Sequence, residues 1–471
     1  MTHNRFNTSR RAFLQNLFLG TVGVSLYGCK PFSDSSVSPT DTAAAPDLPL
    51  GPVIPASQLP FTTTPLSGIG PLVESDINGV FIPEGFSIRR VARSGSIPVV
   101  GSQTPWHTFP DGGAVFDAPD GGWVYVPNSE IDPDGGVGAI RFNAIGELTD
   151  NYRILTETRR NCAGGPTPWQ TWLSCEEVGD GLVYECDPFG DETTARVLPK
   201  LGVFNHEAVA VDAATRTLYL TEDSGSGRLY RFTSAGSATA INGQSGLDLD
   251  NGVLEVLEID GFENGAYQED LAAARQLKAV KWVPVRSPER PQADVRREIM
   301  ETTGQPAPGT VFKGGEGIWM QQFSEGERAV VAGSPNPLRA VVFFACKGDN
   351  RVYALDIDND LIEVVFDNEQ LSDDELPFDD VDNLVVGPAG DVIVSEDGDA
   401  MRLMVLTPNQ PSRILLQITG GGSELTGPAF TSDGSRLYFS SQRGPVTLGI
   451  PNLGETFELT IPEAFRGRQS T

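Results

Sequence analysis

Histidine is almost missing from this chain: His3, His107 and His206 are the only three in 471 residues. A histidine-rich metal centre is therefore excluded. Positive charge is also scarce. Six lysines and 28 arginines face 63 acidic residues, for a formal charge of −29 and a pI near 4.4. Such a surface would be repelled by nucleic acid and by anionic membranes, so both are excluded as partners and cations become the expected company. The five cysteines are spaced unlike a dense disulfide scaffold, although a local Cys175–Cys186 bridge is possible. Long apolar runs are lacking too, and the one near the N-terminus is too short to span a membrane. What is present suffices for a large core, because 39% of residues are hydrophobic and 8% aromatic, enough for one large β domain or two ordinary ones.

Ser9-Arg10-Arg11, then Phe13-Leu14 and a short apolar stretch, form the twin-arginine export pattern. Leu26-Tyr27-Gly28-Cys29 has the form of a lipoprotein cleavage box. Residues 1–29 are thus expected to be an export signal, with Cys29 a lipid-anchor candidate and a periplasmic or cell-surface destination. Residues 30–74, rich in Pro, Ser, Thr and Ala, are expected to be a flexible tether, and residues 75–465 the folded body. Export in the folded state would let a metal be loaded in the cytoplasm.

Within the body one pattern recurs: an apolar strand, a Gly/Asp/Pro turn, a second apolar strand and a polar or acidic end. Copies include VFDAPDGGWVYVPNSE, TPWQTWLSCEE, AVAVDAATRTLYLTEDS, AVVFFACKGDN, LVVGPAGDVIVSEDG and AFTSDGSRLYFSSQRG. Taking Glu130, Glu176, Glu222, Asp349, Glu396 and Ser441 as equivalent gives steps of 46, 46, 127, 47 and 45 residues. A period near 45 built of strands and turns predicts an all-β, six-bladed β-propeller, with an insertion at about 235–310 that carries the helical-looking stretches 268–276 and 292–302. Nothing in the sequence demands a second copy, and a monomer is expected.

In such a fold equivalent strand ends converge on one channel mouth. The starts of the inner strands carry Asn161-Cys162, Asn205-His206-Glu207, Gly315-Glu316-Gly317, Asp382-Asn383 and Glu424-Leu425-Thr426-Gly427. The outgoing strand ends carry Asn128/Glu130, Glu176/Glu177, Glu222/Asp223, Lys347/Asp349/Asn350 and Glu396/Asp397. So many carboxylates around one opening would repel one another unless cations neutralised them. The soft thiolate of Cys162 amid hard carboxylates favours a transition metal beside a hard ion. For each acid the alternative is a solvated turn, and for His206 a packed, hydrogen-bonded histidine.

The segments NCAGGPTPWQTWLSCEE, FNHEAVAVDAATRTLYLTEDSGSGRLYRF, FKGGEGIW, FACKGDNRVYALDID, DNLVVGPAGDVIVSEDG and SELTGPAFTSDGSRLYFSSQRG resemble, in order, those of the PhoX-type alkaline phosphatases. The resemblance runs from about Asn128 to Gly444. It implies a six-bladed propeller whose channel holds Fe3+ and Ca2+ bridged by oxygen, and hydrolysis of small phosphate monoesters. It also implies that Cys162 is the iron-binding thiolate and that Glu207 and Glu316 are carboxylate ligands, with Asp382, Glu396 and Asp397 in later acidic motifs. Metal ligands are then expected among Cys162, Glu130, Glu176, Glu207, Glu222, Asp223, Glu316, Asp382, Glu396 and Asp397. Asn128, Lys313 and Glu316 are the expected catalytic residues, Asn128 and Lys313 facing the substrate. Two departures stand out: Ser129 replaces the family's histidine, and Gly314 stands where the phosphate-gripping arginine belongs, with Lys313 one place away. A lysine offers phosphate a point charge without the bidentate grip of arginine. A non-catalytic calcium-binding surface propeller and a lactonase-like calcium-dependent hydrolase therefore stay open as alternatives.

Overall fold

The computed structural model describes residues 64–466 except 269–270, 272–276, 327, 329–335, 369–377, 399, 407–411, 421 and 445–452. The export signal and most of the tether lie outside these residues. The described residues are all-β, 49% strand and 7% helix, and their sheets form a propeller-like arrangement.

The repeating unit is an antiparallel meander. Its first strands are Pro110–Asp117, Asn161–Pro166, His206–Asp212, Gly315–Gln322, Val381–Val386 and Leu425–Phe430. Each pairs with the next strand in sequence: Trp123–Ser129, Trp172–Glu176, Thr217–Glu222, Ala340–Cys346, Val392–Glu396 and Arg436–Ser441. These second strands are apolar on both faces, as in Val341-Val342-Phe343-Phe344-Ala345, because neighbouring sheets cover both sides. The turns follow side-chain chemistry. In Thr431-Ser432-Asp433-Gly434, Asp433 Oδ1 accepts the Ser435 N–H at 3.0 Å, while Gly434 takes a φ of +66° that an L side chain rarely adopts.

First strands lie against one another in sequence order, and the last, Leu425–Phe430, lies against the first, Pro110–Asp117. Their approach is close enough to exclude side chains at set places. A Cβ on Gly165 would lie 1.7 Å from the Val209 carbonyl oxygen, and one on Gly317 would lie 2.3 Å from the Leu384 nitrogen. Early and late chain also join: Ser87–Arg93 pairs with Glu455–Thr460, reinforced by Arg90 and Arg93 on Glu455 and Arg89 on Glu458 at 2.5–2.7 Å.

The segment expected to be an insertion is partly structural. Gly252–Ile259 completes the meander of Leu229–Ser234, and Lys278–Pro284 bridges it to Leu361–Asp367, producing a nine-stranded sheet. Its helix, Gln292–Thr303, sends Arg296 back to Glu222. The other predicted helical stretch falls largely outside the described residues.

Candidate metal centre

All six first strands carry an irregularity at the same place. Register shifts occur between Pro110/Gly113, Asn161/Gly164, His206/Val209, Gly315/Ile318, Val381/Leu384 and Thr426/Ala429. A bulge re-aims the side chains it contains. In five of the six the bulged residue is Asp111, Cys162, Glu207, Glu316 or Asp382, and in the sixth Glu424 stands just before the strand. A second set comes from the residue following each second strand: Glu130, Glu177, Asp223, Lys347, Asp397 and Gln442.

The two sets meet in four overlapping groups whose potential ligand atoms lie within 4.8 Å of one another: Asp111/Glu130/Cys162, Cys162/Glu177/Glu207, Glu207/Glu316/Asp382 and Asp382/Asp397/Glu424. Cys162, Glu207 and Asp382 each belong to two groups, so the four form one continuous track. Among the described residues neither carboxylate oxygen of Glu207, which is 1% exposed, has a hydrogen-bond partner of normal geometry. Glu316 Oε1 has no hydrogen-bond partner among the described residues and lies 3.4 Å from the Lys347 ammonium. Buried carboxylate oxygens left this way are costly unless a cation accepts them.

Electrostatics tell the same story. Burial first, and then the charges of neighbouring acids, push the carboxyls of Asp111, Glu177, Glu207, Glu316 and Glu424 well above the ordinary range. The Cys162 thiol is pushed up by burial and then by Asp111, Glu207, Glu130 and Glu177. A bound cation inverts this logic, since it favours the thiolate and the carboxylates. Among the described residues, three basic side chains touch the track. Arg160 bridges Glu130 and Glu177 at 2.6 Å each, Arg443 reaches Glu424 at 2.8 Å, and Lys347 lies among Glu316, Asp382 and Asp397. Gln442 ties Asp111 to Glu130 with bonds of 2.6 and 2.7 Å.

Of the expected ligands, Cys162, Glu130, Glu207, Glu316, Asp382 and Asp397 come together, and Asp223 lies near enough for its charge to raise Glu177, Glu207 and Glu316. Glu176, Glu222 and Glu396 do not join them. Each is the last residue of a second strand, one place short of the set, and its carboxylate is taken up by partners outside the track. Glu176 accepts the Arg159 and Leu182 N–H groups at 2.9 and 3.2 Å. Glu222 takes Arg296, the Arg228 N–H and the Tyr230 hydroxyl at 2.6–3.0 Å. Glu396 takes Arg402 at 2.5 and 2.8 Å and the Asp379 N–H at 3.2 Å.

The two residues expected to face substrate are engaged elsewhere. Asn128 is fully buried; its amide donates to the Cys162 and Ala163 carbonyls at 3.3 and 2.7 Å and accepts from Trp172 and Ser174 at 2.9 Å. It positions the Cys162 strand. Lys313 places its ammonium 3.4 Å from the centre of the Tyr267 ring. His206 is packed: its Nε2 lies 3.2 Å from the Gly202 carbonyl, its ring sits against Phe204, and burial lowers its pKa to about 3. Cys162, Cys175, Cys186 and Cys346 are all free thiols, so the possible Cys175–Cys186 bridge is not formed; Cys175 is registered with Val183 and Cys186 with Trp172.

Asp111, Arg160 and Arg443 escaped the sequence reading, and Lys347 entered it without a role. For Asp111 a signal existed. Each bulged ligand precedes a small or short residue: Asp111-Gly112, Cys162-Ala163, Glu207-Ala208, Glu316-Gly317, Asp382-Asn383. Several of these followers lie where adjacent first strands approach closely.

The family model described as alkaline phosphatase PhoX matches residues 133–182 and 178–444. Among solved structures, the chain shares the fold of Pseudomonas fluorescens PhoX in complex with vanadate, a transition-state analogue, at 15% identity and a TM-score of 0.59, covering 87% of this chain and 98% of that one. A gluconolactonase from Xanthomonas campestris is more distant, at 12% identity and a TM-score of 0.41 over 84% of this chain and 98% of that one. No curated protein matches the sequence.

Proposed function

Because this chain belongs to the PhoX alkaline phosphatase family, we propose that it is an exported, metal-dependent phosphoric monoester hydrolase acting at the acid- and thiol-lined end of its first strands. The observation that carries this reading is the convergence of Asp111, Cys162, Glu207, Glu316 and Asp382 from five separate bulges, with the buried Glu207 carboxylate beside the Cys162 thiol and no basic group recorded on it among the described residues. The donor set fits the ions of the family: Cys162 with Glu177 and Glu207 suits iron, and the carboxylates flanking it, those of Asp111, Glu130 and Glu207, suit calcium. Bound there, such ions would polarise the phosphoryl oxygens and favour deprotonation of an attacking water.

The chain's own residues have separable tasks. Gln442 and Asn128 hold Asp111, Glu130 and the Cys162 strand in place through buried hydrogen bonds. Arg160 and Arg443, with side chains 26% and 20% exposed, are cationic groups on the track that an incoming phosphate can meet from solvent. They take over the task expected of Lys313. We further propose six blades, counting the nine-stranded sheet as two and closing the ring through Ser87–Arg93; the six equivalent strand pairs with six equivalent bulges support this count. Arg10-Arg11 and Cys29 support export and a lipid anchor.

The missing arginine at Gly314 and the engagement of Lys313 favour one other reading, a calcium-binding propeller without turnover. Metal analysis of protein purified after native export, with p-nitrophenyl phosphate hydrolysis before and after calcium chelation, separates the two. Iron with calcium-dependent turnover is expected. Calcium without turnover would sink the hydrolase.

A further inference from the structure

Six positions are equivalent in following a second strand, and four of them hold carboxylates: Glu130, Glu177, Asp223 and Asp397. Gln442 fills the fifth. The sixth is Lys347, the residue after the strand Ala340–Cys346. It starts a short 3-10 turn, Lys347–Asp349, anchored by the Lys347 N–H on the Gly314 carbonyl at 2.8 Å and the Gly348 N–H on the Lys313 carbonyl at 3.0 Å. From this anchored base the side chain reaches into the track. Its Nζ lies 2.9 Å from Asp382, 3.1 Å from Asp397 and 3.4 Å from Glu316. An ammonium has three N–H donors, and here three carboxylates surround one.

Asp382 and Glu316 belong to the group with Glu207, and Asp382 and Asp397 to the group with Glu424. Lys347 therefore sits at the junction of two of the four candidate cation positions and occupies oxygens that both would need. A divalent ion there would have to displace the ammonium or lie beside a like charge. On the Cys162 side Arg160 takes one carboxylate from each group, Glu130 and Glu177, whereas Lys347 takes two ligands from each of its groups.

Resting on the metal reading above, we propose that Lys347 is a built-in cation that takes the place of one divalent ion, so that the chain holds its ions on the Cys162–Glu207 side and neutralises Glu316, Asp382 and Asp397 with its own ammonium. The track is thereby divided between metal and lysine. A further consequence is that losing the lysine opens a hard, all-carboxylate site.

Calcium binding by the full chain, followed by calorimetry and by elemental analysis after gel filtration, tests this without reference to turnover. Lys347→Met is expected to bind about one more Ca2+ per chain than the wild type, and Lys347→Arg to match the wild type. Should Lys347→Met not fold in calcium-free buffer, added calcium is expected to restore it, and failure to do so overturns the proposal. Equal calcium in Lys347→Met and wild type also overturns it. If neither protein binds any ion, the metal reading itself fails and takes this proposal with it, a result distinct from equal, non-zero binding.

Discussion

Glu176, Glu222 and Glu396 differ from Glu177, Asp223 and Asp397 by one step along the chain, yet the two trios live in opposite worlds. The first trio ends its strands and is capped by arginines, backbone N–H groups or both. The second trio turns towards the track, where Glu177 and Asp397 join candidate metal groups and Asp223 adds its charge to the same field. Successive side chains of a strand point to opposite sides, so one position decides between structural anchor and candidate ligand. An acid buried with its own partner stabilises the fold. An acid on the track shares its cation with neighbouring acids, as Glu177 shares Arg160 with Glu130 and Asp397 shares Lys347 with Glu316 and Asp382.

Arg402→Ala should have the largest effect, because it strands Glu396 as an uncompensated buried charge. We expect a loss of about 3–5 kcal/mol in urea unfolding. A loss below about 1 kcal/mol would erase the distinction between the trios. Cys162→Ser tests the other side: iron content should fall to near background and turnover by about 100-fold or more, while calcium content is retained. Retained iron would remove Cys162 from the centre.

Glu207→Gln sharpens the contrast through its sign. Because Glu207 is buried among acids with no cationic partner among the described residues, neutralising it should stabilise the metal-free protein by roughly 1–2 kcal/mol, whereas Glu396→Gln should destabilise it by a similar amount. Both measurements are made after exhaustive chelation. If both variants shift the urea midpoint the same way, the trios are not different in kind.

The smallest effect is expected at Asp391, in the turn at the opposite end of the same hairpin. Its carboxylate accepts the Leu66 N–H at 3.2 Å, and burial raises its pKa from 3.8 to about 6. A folded-state pKa above the unfolded one means that the stabilisation is complete below about pH 4 and is lost as pH rises through 6. Asp391→Asn keeps the acceptor and should leave stability at pH 4 unchanged, while adding on the order of 1–2 kcal/mol at pH 8. An equal change at both pH values would show that burial of this charge is not what matters.

Much of this was legible beforehand. The 45-residue period and the Asn161–Glu177 hairpin follow from apolar patterning and turn residues, and the strands appear where those signals fall. Six of the ten expected ligands meet. The expected residues that stand apart from the track do so for one reason each. Glu176, Glu222 and Glu396 required the register, which a period accurate to one or two residues does not supply. Asn128 was expected to face substrate because it matches the asparagine of the family's motif; its amide is engaged by Cys162, Ala163, Trp172 and Ser174, contacts that exist only once two hairpins are side by side.

By itself the sequence determined that this is a β protein of repeated hairpins, short of histidine and rich in acids, with a single thiol among the candidate ligands. These are properties of composition and of local periodicity, which act over a few residues. Only the tertiary structure decided which acids lose their solvent together and which receive an arginine. It also placed Lys347 where four equivalent positions hold carboxylates. Those outcomes depend on bulges and on the close contact of first strands far apart in the chain, and no local propensity encodes a distance between two strands that have yet to meet.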